Sequence, residues 1–258
     1  MSNSDVVQTE IQDGVLVITL NRPKVNAFNL EMIAAAQEAF KQARRDSQVR
    51  SVLLTGAGNV FSAGQDVRDF QQEEEVSFRK HLQRTYNPLV LQIRSLEKPV
   101  LAAVNGAVSG AALGIALACD LRMASEQARF FVGFLGIGLS LDSAVSLLLP
   151  ALIGLGRASE YAFTNQPISA QQALDWGLVN RLAPAIGFQE RALEWAKELA
   201  AGPIRAMGLA KRDFNKALLG NLEQVLDYEA HIQEIAGKGA EHHEGVQAFL
   251  DKRPAKFI

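Results

Sequence analysis

The sequence predicts an α/β fold: an α/β core followed by a helical C-terminal part. Short apolar runs of strand length alternate with longer segments of helical period up to about Pro150, the arrangement expected of mostly parallel pairing. Runs such as Val15–Leu20 are apolar on both alternating faces and read as buried strands. From Arg157 onward helical periodicity dominates, broken by one short strand.

The elements follow in order. The strand Val15–Leu20 leads through the turn-rich Asn21-Arg22-Pro23 into an amphipathic helix from Asn29, its N-cap, to Arg45. A second strand, Ser51–Thr55, precedes Gly56-Ala57-Gly58-Asn59, and an acidic segment around Glu73, Glu74 and Glu75 leads into a helix from Phe78 to Leu96. The third strand is Pro99–Val104 and the fourth Leu121–Ala124. Helices are then expected over 170–176, 187–200, 203–219, 222–236 and 244–250, with a short strand at Leu178-Val179-Asn180. No sequence repeat of fixed period stands out.

Composition narrows the function. The 258 residues are 48% hydrophobic and 21% charged, which excludes disordered, collagen-like and coiled-coil classes. With 26 basic and 28 acidic residues the net charge is −2, and no long run of one sign favours nucleic acid or an anionic membrane, so an anionic partner must be met locally. The one cysteine, Cys119, lies among Ala116, Leu117 and Ala118 and reads as a buried structural thiol in a reducing compartment. The N-terminal segment has neither signal-peptide nor transit-peptide character, so a cytosolic protein is expected. Pro99–Cys119 carries no charge and is as long as a membrane span, but it divides at Asn105-Gly106 into a buried strand and a buried helix with Ser109, Ala112 and Ala116 at helical spacing.

Few motifs carry chemistry. His81, His231, His242 and His243 sit in charge-rich contexts away from other ligand types, so no metal site is expected and their roles read as structural. Gly56-Ala57-Gly58 fails the dinucleotide fingerprint, and the phosphate-loop and nucleophile-elbow patterns are absent. Two glycine-bearing turns follow strands, Phe61-Ser62-Ala63-Gly64-Gln65-Asp66 and Asn105-Gly106-Ala107-Val108-Ser109-Gly110-Ala111-Ala112. Their N–H groups either aim at a substrate oxygen, forming an oxyanion hole if the turns converge, or simply permit tight packing. Asp142 is the only charged residue between Arg129 and Arg157. A carboxyl group in such surroundings acquires a raised pKa suited to general acid/base work, or it caps a helix over Ser143–Leu149, or both. Asp120 reads as structural.

Several segments in order resemble the crotonase superfamily, the enoyl-CoA hydratase/isomerase family: Gly14–Pro23, Phe61–Val67, Lys98-Pro99-Val100 with Asn105-Gly106, and Glu244–Pro254. Between Pro23 and Asn26 stand two residues, Lys24 and Val25, where most members have three. The resemblance implies a ββα-spiral core over 1–195 and a helical trimerisation region over 196–258, a trimer or dimer of trimers, and an acyl-CoA substrate whose coenzyme A replaces any separate cofactor. It implies that the N–H groups of Gln65 and Ala111 hold the thioester oxygen, with side-chain identity mattering little there. Val25, Ala27, Ala63, Asp66 and Val67 match positions that line the CoA site, and Phe249 and Lys252 match tail residues that reach the nucleotide on a neighbouring subunit. The positions of the family's two hydratase glutamates hold Gly114 and Phe134, whereas Asp142 matches the aspartate of phenylacetate-pathway isomerases. The resemblance therefore implies a Δ3-to-Δ2 enoyl-CoA isomerase with Asp142 as the base and ring-1,2-epoxyphenylacetyl-CoA as a candidate substrate. Hydration or other crotonase chemistry, and acyl-CoA binding without catalysis, are the alternatives.

Overall fold

The computed structural model describes residues 6–68 and 77–257, so the acidic run at Glu73 to Glu75 and the first five residues lie outside the described residues. Its backbone holds two sheets, fed largely by strands that come in pairs. A hairpin of β1 (Val7–Gln12) and β2 (Val15–Leu20) is followed by helix α1 (Leu30–Arg45), capped by the Asn29 side chain, which accepts from Met32 N. β3 (Ser51–Gly56) is paired in sequence with the short β4 (Val60–Ser62), β5 (Val100–Val104) with β6 (Ala107–Ser109), and β7 (Leu121–Ser125) with β8 (Arg129–Phe131).

The longer member of each pair enters one sheet and the shorter member the other. With the β10 strand (Arg181–Ala183) the long ones make a six-stranded sheet ordered β1-β2-β3-β5-β7-β10, parallel apart from β1. The short ones, with β9 (Ile168–Ser169), make a second sheet ordered β4-β6-β8-β9. Each turn of this spiral thus leaves the first sheet, crosses the second and returns through helices: α2 (Phe78–Arg84) and α3 (Tyr86–Ser95) after β4, α4 (Ala111–Ala118) after β6. β3 and β5 are buried at every residue, which explains why they read as continuous apolar runs. One face of the large sheet meets α8 (Phe188–Ala201) through Leu53, Leu101 and Met123 against Ala192, Trp195 and Ala196. The other face belongs to the main core around Phe28, Phe40, Phe61, Tyr86 and Phe130.

The remaining helices are α5 (Val145–Ile153), α6 (Leu155–Thr164), α7 (Ala170–Asp175), α9 (Ile204–Leu218), α10 (Leu222–Gly237) and α11 (Ala240–Leu250). α8 runs across the expected division after residue 195, and its packing on the sheet ties that stretch to the core. Among the described residues no helix is long and apolar enough to cross a membrane; Pro99–Cys119 instead holds β5, β6 and α4.

Three expectations are corrected here. The segment 78–96 is two helices broken at Thr85, because Pro88 has no N–H and its ring would clash with the Arg84 carbonyl of a continuous helix. The Arg84 and Thr85 carbonyls left over accept from Gln37 Nε2 of α1 at 3.2 and 2.8 Å. The strand expected at Leu178-Val179-Asn180 forms instead at Arg181–Ala183: the Asn180 side chain accepts from Arg122 N (2.9 Å) and the Leu178 carbonyl from Arg122 Nε (2.7 Å), which ends the approach to β7 before the ladder starts. Ser109 belongs to β6 and not to the following helix, which starts at Ala111.

Asp120 holds three elements together. It accepts from Val100 N of β5 at 2.9 Å, from Arg94 Nη1 of α3 at 3.1 Å and from Lys211 Nζ of α9 at 2.8 Å. Lys211 is nearly buried, so its ammonium depends on this carboxylate and on the Ile93 carbonyl. Cys119 beside it is fully enclosed, and burial pushes its thiol up to about 12, so it is chemically inert near neutrality. Asp120→Ala should cost about 3 kcal/mol of stability by leaving Lys211 unpaired, and adding Lys211→Met should recover part of the loss. Urea denaturation of the two variants and the parent reads both effects.

Candidate active site

The two glycine turns meet. Gly64 has φ +84°, and a Cβ there would stand 2.6 Å from the Ser109 carbonyl oxygen and 3.5 Å from the Ala111 nitrogen. Only glycine meets both requirements, the left-handed backbone and the contact. The 63–66 turn is clamped to its neighbour by Ala63 N to Val25 O (3.0 Å), Phe28 N to Gly64 O (2.7 Å) and Asp66 N to Phe28 O (2.9 Å). Opposite it, Gly110 at φ +57° opens α4, whose first N–H groups, Ala111 included, have no acceptor within the helix. Gln65 and Ala111 both line one cavity of about 300 Å³. The helix end supports negative charge placed there.

Asp142 lines the same cavity. Its side chain is buried: Oδ1 accepts from Ser143 Oγ at 2.7 Å and Oδ2 from Gln233 Nε2 at 2.8 Å. Burial, with the nearby Glu229 adding to it, raises its carboxyl to about 7 against the pull of those two hydrogen bonds. It does not cap a helix. α5 begins at Val145, and its first turn donates to a different acid: Ala144 N and Ser146 N lie 2.8 and 3.0 Å from the Glu229 carboxylate of α10. The Asp142 carboxyl is therefore not spent on a helix N-terminus; its partners are Ser143 and Gln233.

The 142–144 segment is held under strain against α4. Ser143 and Ala144 both have positive φ, 56° and 65°. The reason lies across the interface, where Gly114 has no room for a side chain: a Cβ would lie 2.5 Å from Ser143 Cβ and from the Ser143 carbonyl oxygen. A glutamate at 114 and this placement of Asp142 are therefore mutually exclusive. Phe134 lines the cavity as a buried apolar wall together with Ile137 and Leu139.

The mouth is formed by Val25, Ala27, Ala63, Asp66, Val67 and Arg68. Asp66 accepts from Arg68 Nη2 (2.7 Å) and Arg22 Nη1 (2.9 Å), and the Arg68 guanidinium, helped by Arg22, holds its carboxyl well below the usual range. Asp66 is thus a fixed anion, and the cationic side chain at the mouth is Arg68, which the sequence reading did not single out.

In the tail, Phe249 and Leu250 of α11 line the cavity of their own chain. α11 reaches the site because it packs backbone to backbone on the 3-10 turn Leu135–Ile137: His242 Nδ1 lies 2.8 Å from Ile137 O, and Gly245 sits directly over Ile137. Lys252 is exposed beyond the end of α11 and is not among the lining residues.

Gln65 also differs: its side chain is engaged, because Oε1 accepts from Tyr86 Oη at 2.6 Å and lies 3.2 Å from His81 Nε2. His81, expected to be charge-surrounded, is a cavity-lining imidazole that burial lowers to about 4, so it is neutral near pH 7. Tyr86 and Gln233 were missed as well. Gln233 had a signal: Leu222, Leu226, Glu229, Gln233 and Gly237 form the buried stripe of α10 at helical spacing, so two polar residues occupy core positions. Among the described residues no three His, Cys, Asp or Glu side chains gather where they could hold a metal ion.

Two glycine turns in contact, one of them opening a helix, and one buried carboxyl group raised to about 7 line a single cavity, a set of groups suited to an enzyme that supports negative charge on a substrate and moves a proton. The comparisons place the chain within that class. The enoyl-CoA hydratase/isomerase family profile matches residues 10–258. The chain is similar to the 1,2-epoxyphenylacetyl-CoA isomerase of Escherichia coli, 38% identical with 98% of each chain covered. It is also similar to a 4-chlorobenzoyl coenzyme A dehalogenase of an Arthrobacter species, 35% identical over 93% of this chain and 89% of that one. Among solved structures, an enoyl-CoA hydratase of Mycobacterium avium subsp. paratuberculosis superposes with a TM-score of 0.89 at 33% identity, covering 98% of both chains. The protein belongs to the enoyl-CoA hydratase/isomerase family, is an enzyme of that family, and has the crotonase fold.

Because the folded Asp142 titrates above its ordinary value of 3.8, near 7, the fold prefers its protonated form. Stability contributed by this group is full below the unfolded value and is lost as pH rises through about 7. Asp142→Asn should therefore be more stable than the parent at pH 8, by up to about 4 kcal/mol, and equal to it near pH 4. Denaturant melts at the two pH values test this.

Proposed function

We propose that this chain is an acyl-CoA isomerase that shifts a double bond from Δ3 to Δ2 through a thioester enolate, with ring-1,2-epoxyphenylacetyl-CoA as the favoured natural substrate class. The observation that carries the reading is Asp142, a carboxyl group near its neutral titration point that lines the same cavity as Gln65 and Ala111. As carboxylate it takes a proton from C2; the electrons run into the thioester, whose oxygen rests on the two N–H groups. The same group, now protonated, returns the proton to C4, and the double bond closes between C2 and C3. Protons and electrons balance, so the step calls for no cofactor beyond the coenzyme A of the substrate.

Hydration needs a second acid to position water. Gly114 has no space for one, and Phe134 offers an apolar ring. Similarity to the epoxyphenylacetyl-CoA isomerase supports the ring substrate, as does a wall of Phe134, Ile137 and Leu139 about the acyl end of the cavity. The proposal seats the CoA moiety along Val25, Ala27, Ala63, Asp66, Val67 and Phe249, with Arg68 and Lys252 supplying positive charge towards its phosphates.

The same proposal includes a cytosolic enzyme and a homo-oligomer, a trimer or dimer of trimers. Exposed Leu155, Phe163, Phe214, Leu218, Tyr228 and Ile235 supply apolar surface for such contacts. Sedimentation equilibrium should return three or six times the 28.0 kDa chain mass, and a monomer would remove this part of the proposal.

Asp142→Asn should retain acyl-CoA affinity and lose isomerisation of 3-enoyl-CoA by about 1,000-fold or more. Exchange of solvent deuterium into C2 and C4, followed by mass spectrometry, should stop with it. Turnover at the parent rate would reject the mechanism, and efficient conversion of crotonyl-CoA to 3-hydroxybutyryl-CoA by the parent would favour hydration instead.

A further inference from the structure

Gln233 is wholly buried in α10, one helical turn after Glu229, and its amide is fixed at both ends. Oε1 accepts from Ser140 N at 2.9 Å, and Nε2 donates to Asp142 Oδ2 at 2.8 Å. The amide cannot turn over, because that would set its NH₂ against the Ser140 N–H and its oxygen against the carboxylate. Glu229 on the same face holds Ala144 N, Ser146 N and the Ser146 hydroxyl. Helix α10 therefore grips the Asp142 segment at Ser140, at the carboxylate and at the start of α5, and none of these α10 groups except Gln233 itself lines the cavity.

We infer that Gln233 is a positioning residue for the isomerase reaction: its locked amide fixes the plane of the Asp142 carboxylate over the substrate and keeps it available as a base against the effect of burial. This rests on the reading of Asp142 as the base. The Ser143 hydroxyl on the other oxygen can rotate and either donate or accept, so it adapts when Asp142 takes up the proton; the amide cannot, so Oδ2 always meets a donor and the proton is directed towards Oδ1. Burial and the like charge of Glu229 oppose ionisation, while the Ser143 and Gln233 hydrogen bonds favour it. Among the described residues the other groups near the site are few: α4 and α5 carry no titratable side chain, His81 of α2 lines the cavity as a neutral ring, Asp66 is paired with Arg22 and Arg68, and His242 of α11 is engaged with Ile137. With so little else to favour the carboxylate, the Gln233 amide sets the lower end of the working pH range.

Gln233→Met keeps the length and removes the donor. The full chain is assayed with a 3-enoyl-CoA from pH 5 to 10, and the Asp142 carboxyl is titrated separately by carbon-13 NMR on aspartate-labelled protein, its signal assigned by its loss in Asp142→Asn. The acid limb of kcat/KM and the NMR titration should both move up by about one pH unit, the size expected for one hydrogen bond to a charged group. The rate at pH 6 should then fall about 10-fold, with near-parental turnover at pH 9. Should Gln233→Met fail to fold, Gln233→Glu keeps an acceptor for Ser140 and should move both curves in the same direction. An unmoved NMR titration, or a loss of rate equal at every pH, overturns the inference and leaves Asp142 as base intact. A moved titration with an unmoved rate profile upholds the role of Gln233 and rejects Asp142 as the base.

Discussion

A carboxyl group buried in the cavity wall, paired with no cation among the described residues, is the feature on which the rest of this structure depends. Such a group is tolerated only if hydrogen bonds reach it, and the bonds to Asp142 come from one neighbouring residue and one distant helix. The segment that carries it is bent through two residues of positive φ, a conformation that persists because Gly114 lies beneath it and Glu229 holds its far end. The fold thus accepts a costly conformation and a costly desolvation at one place, and a carboxyl that titrates near neutral pH is the chemical result.

The other wall is set by the spiral itself. Because β3, β5 and β7 are each followed by a short strand in the second sheet, the chain leaves β4 and β6 side by side, and the turns after them run together. Gly64 against Ser109 and Ala111 is the point of contact. Backbone N–H groups there are held by the sheet and the helix, not by rotatable side chains, which is what the proposed oxyanion role requires. The Gln65 side chain adds a further constraint by engaging Tyr86 and His81, which couples the donor turn to α2 and α3.

Exclusion also shapes the site. Packing that brings Ser143 onto Gly114 leaves no place for an acidic side chain there, which under the proposed mechanism removes the second acid that hydration would use.

Local pattern was enough for much of this. The buried runs of β2, β3 and β5, the Asn29 cap, the helices after Pro150, and the isolation of Asp142 all follow from side-chain polarity, period and turn chemistry, which act over a few residues. The strands β4, β6 and β8 did not, because three-residue strands have no period to read and exist only where the spiral brings them together. The break at Thr85 follows from Pro88 and was within reach of the sequence; the split at Asn180 depends on the Arg122 side chain of another strand and was not. The meeting of the two glycine turns, the grip of Gln233 and Glu229 on the Asp142 segment, and Phe249 at the mouth of its own chain's cavity join residues dozens to more than a hundred positions apart. Sequence determined which chemical groups the chain possesses and which faces they must bury, since those are properties of single residues and short periods. Only the tertiary structure decided which of those groups meet, because hydrogen bonds and excluded volume act at a few ångströms in space, whatever the separation along the chain.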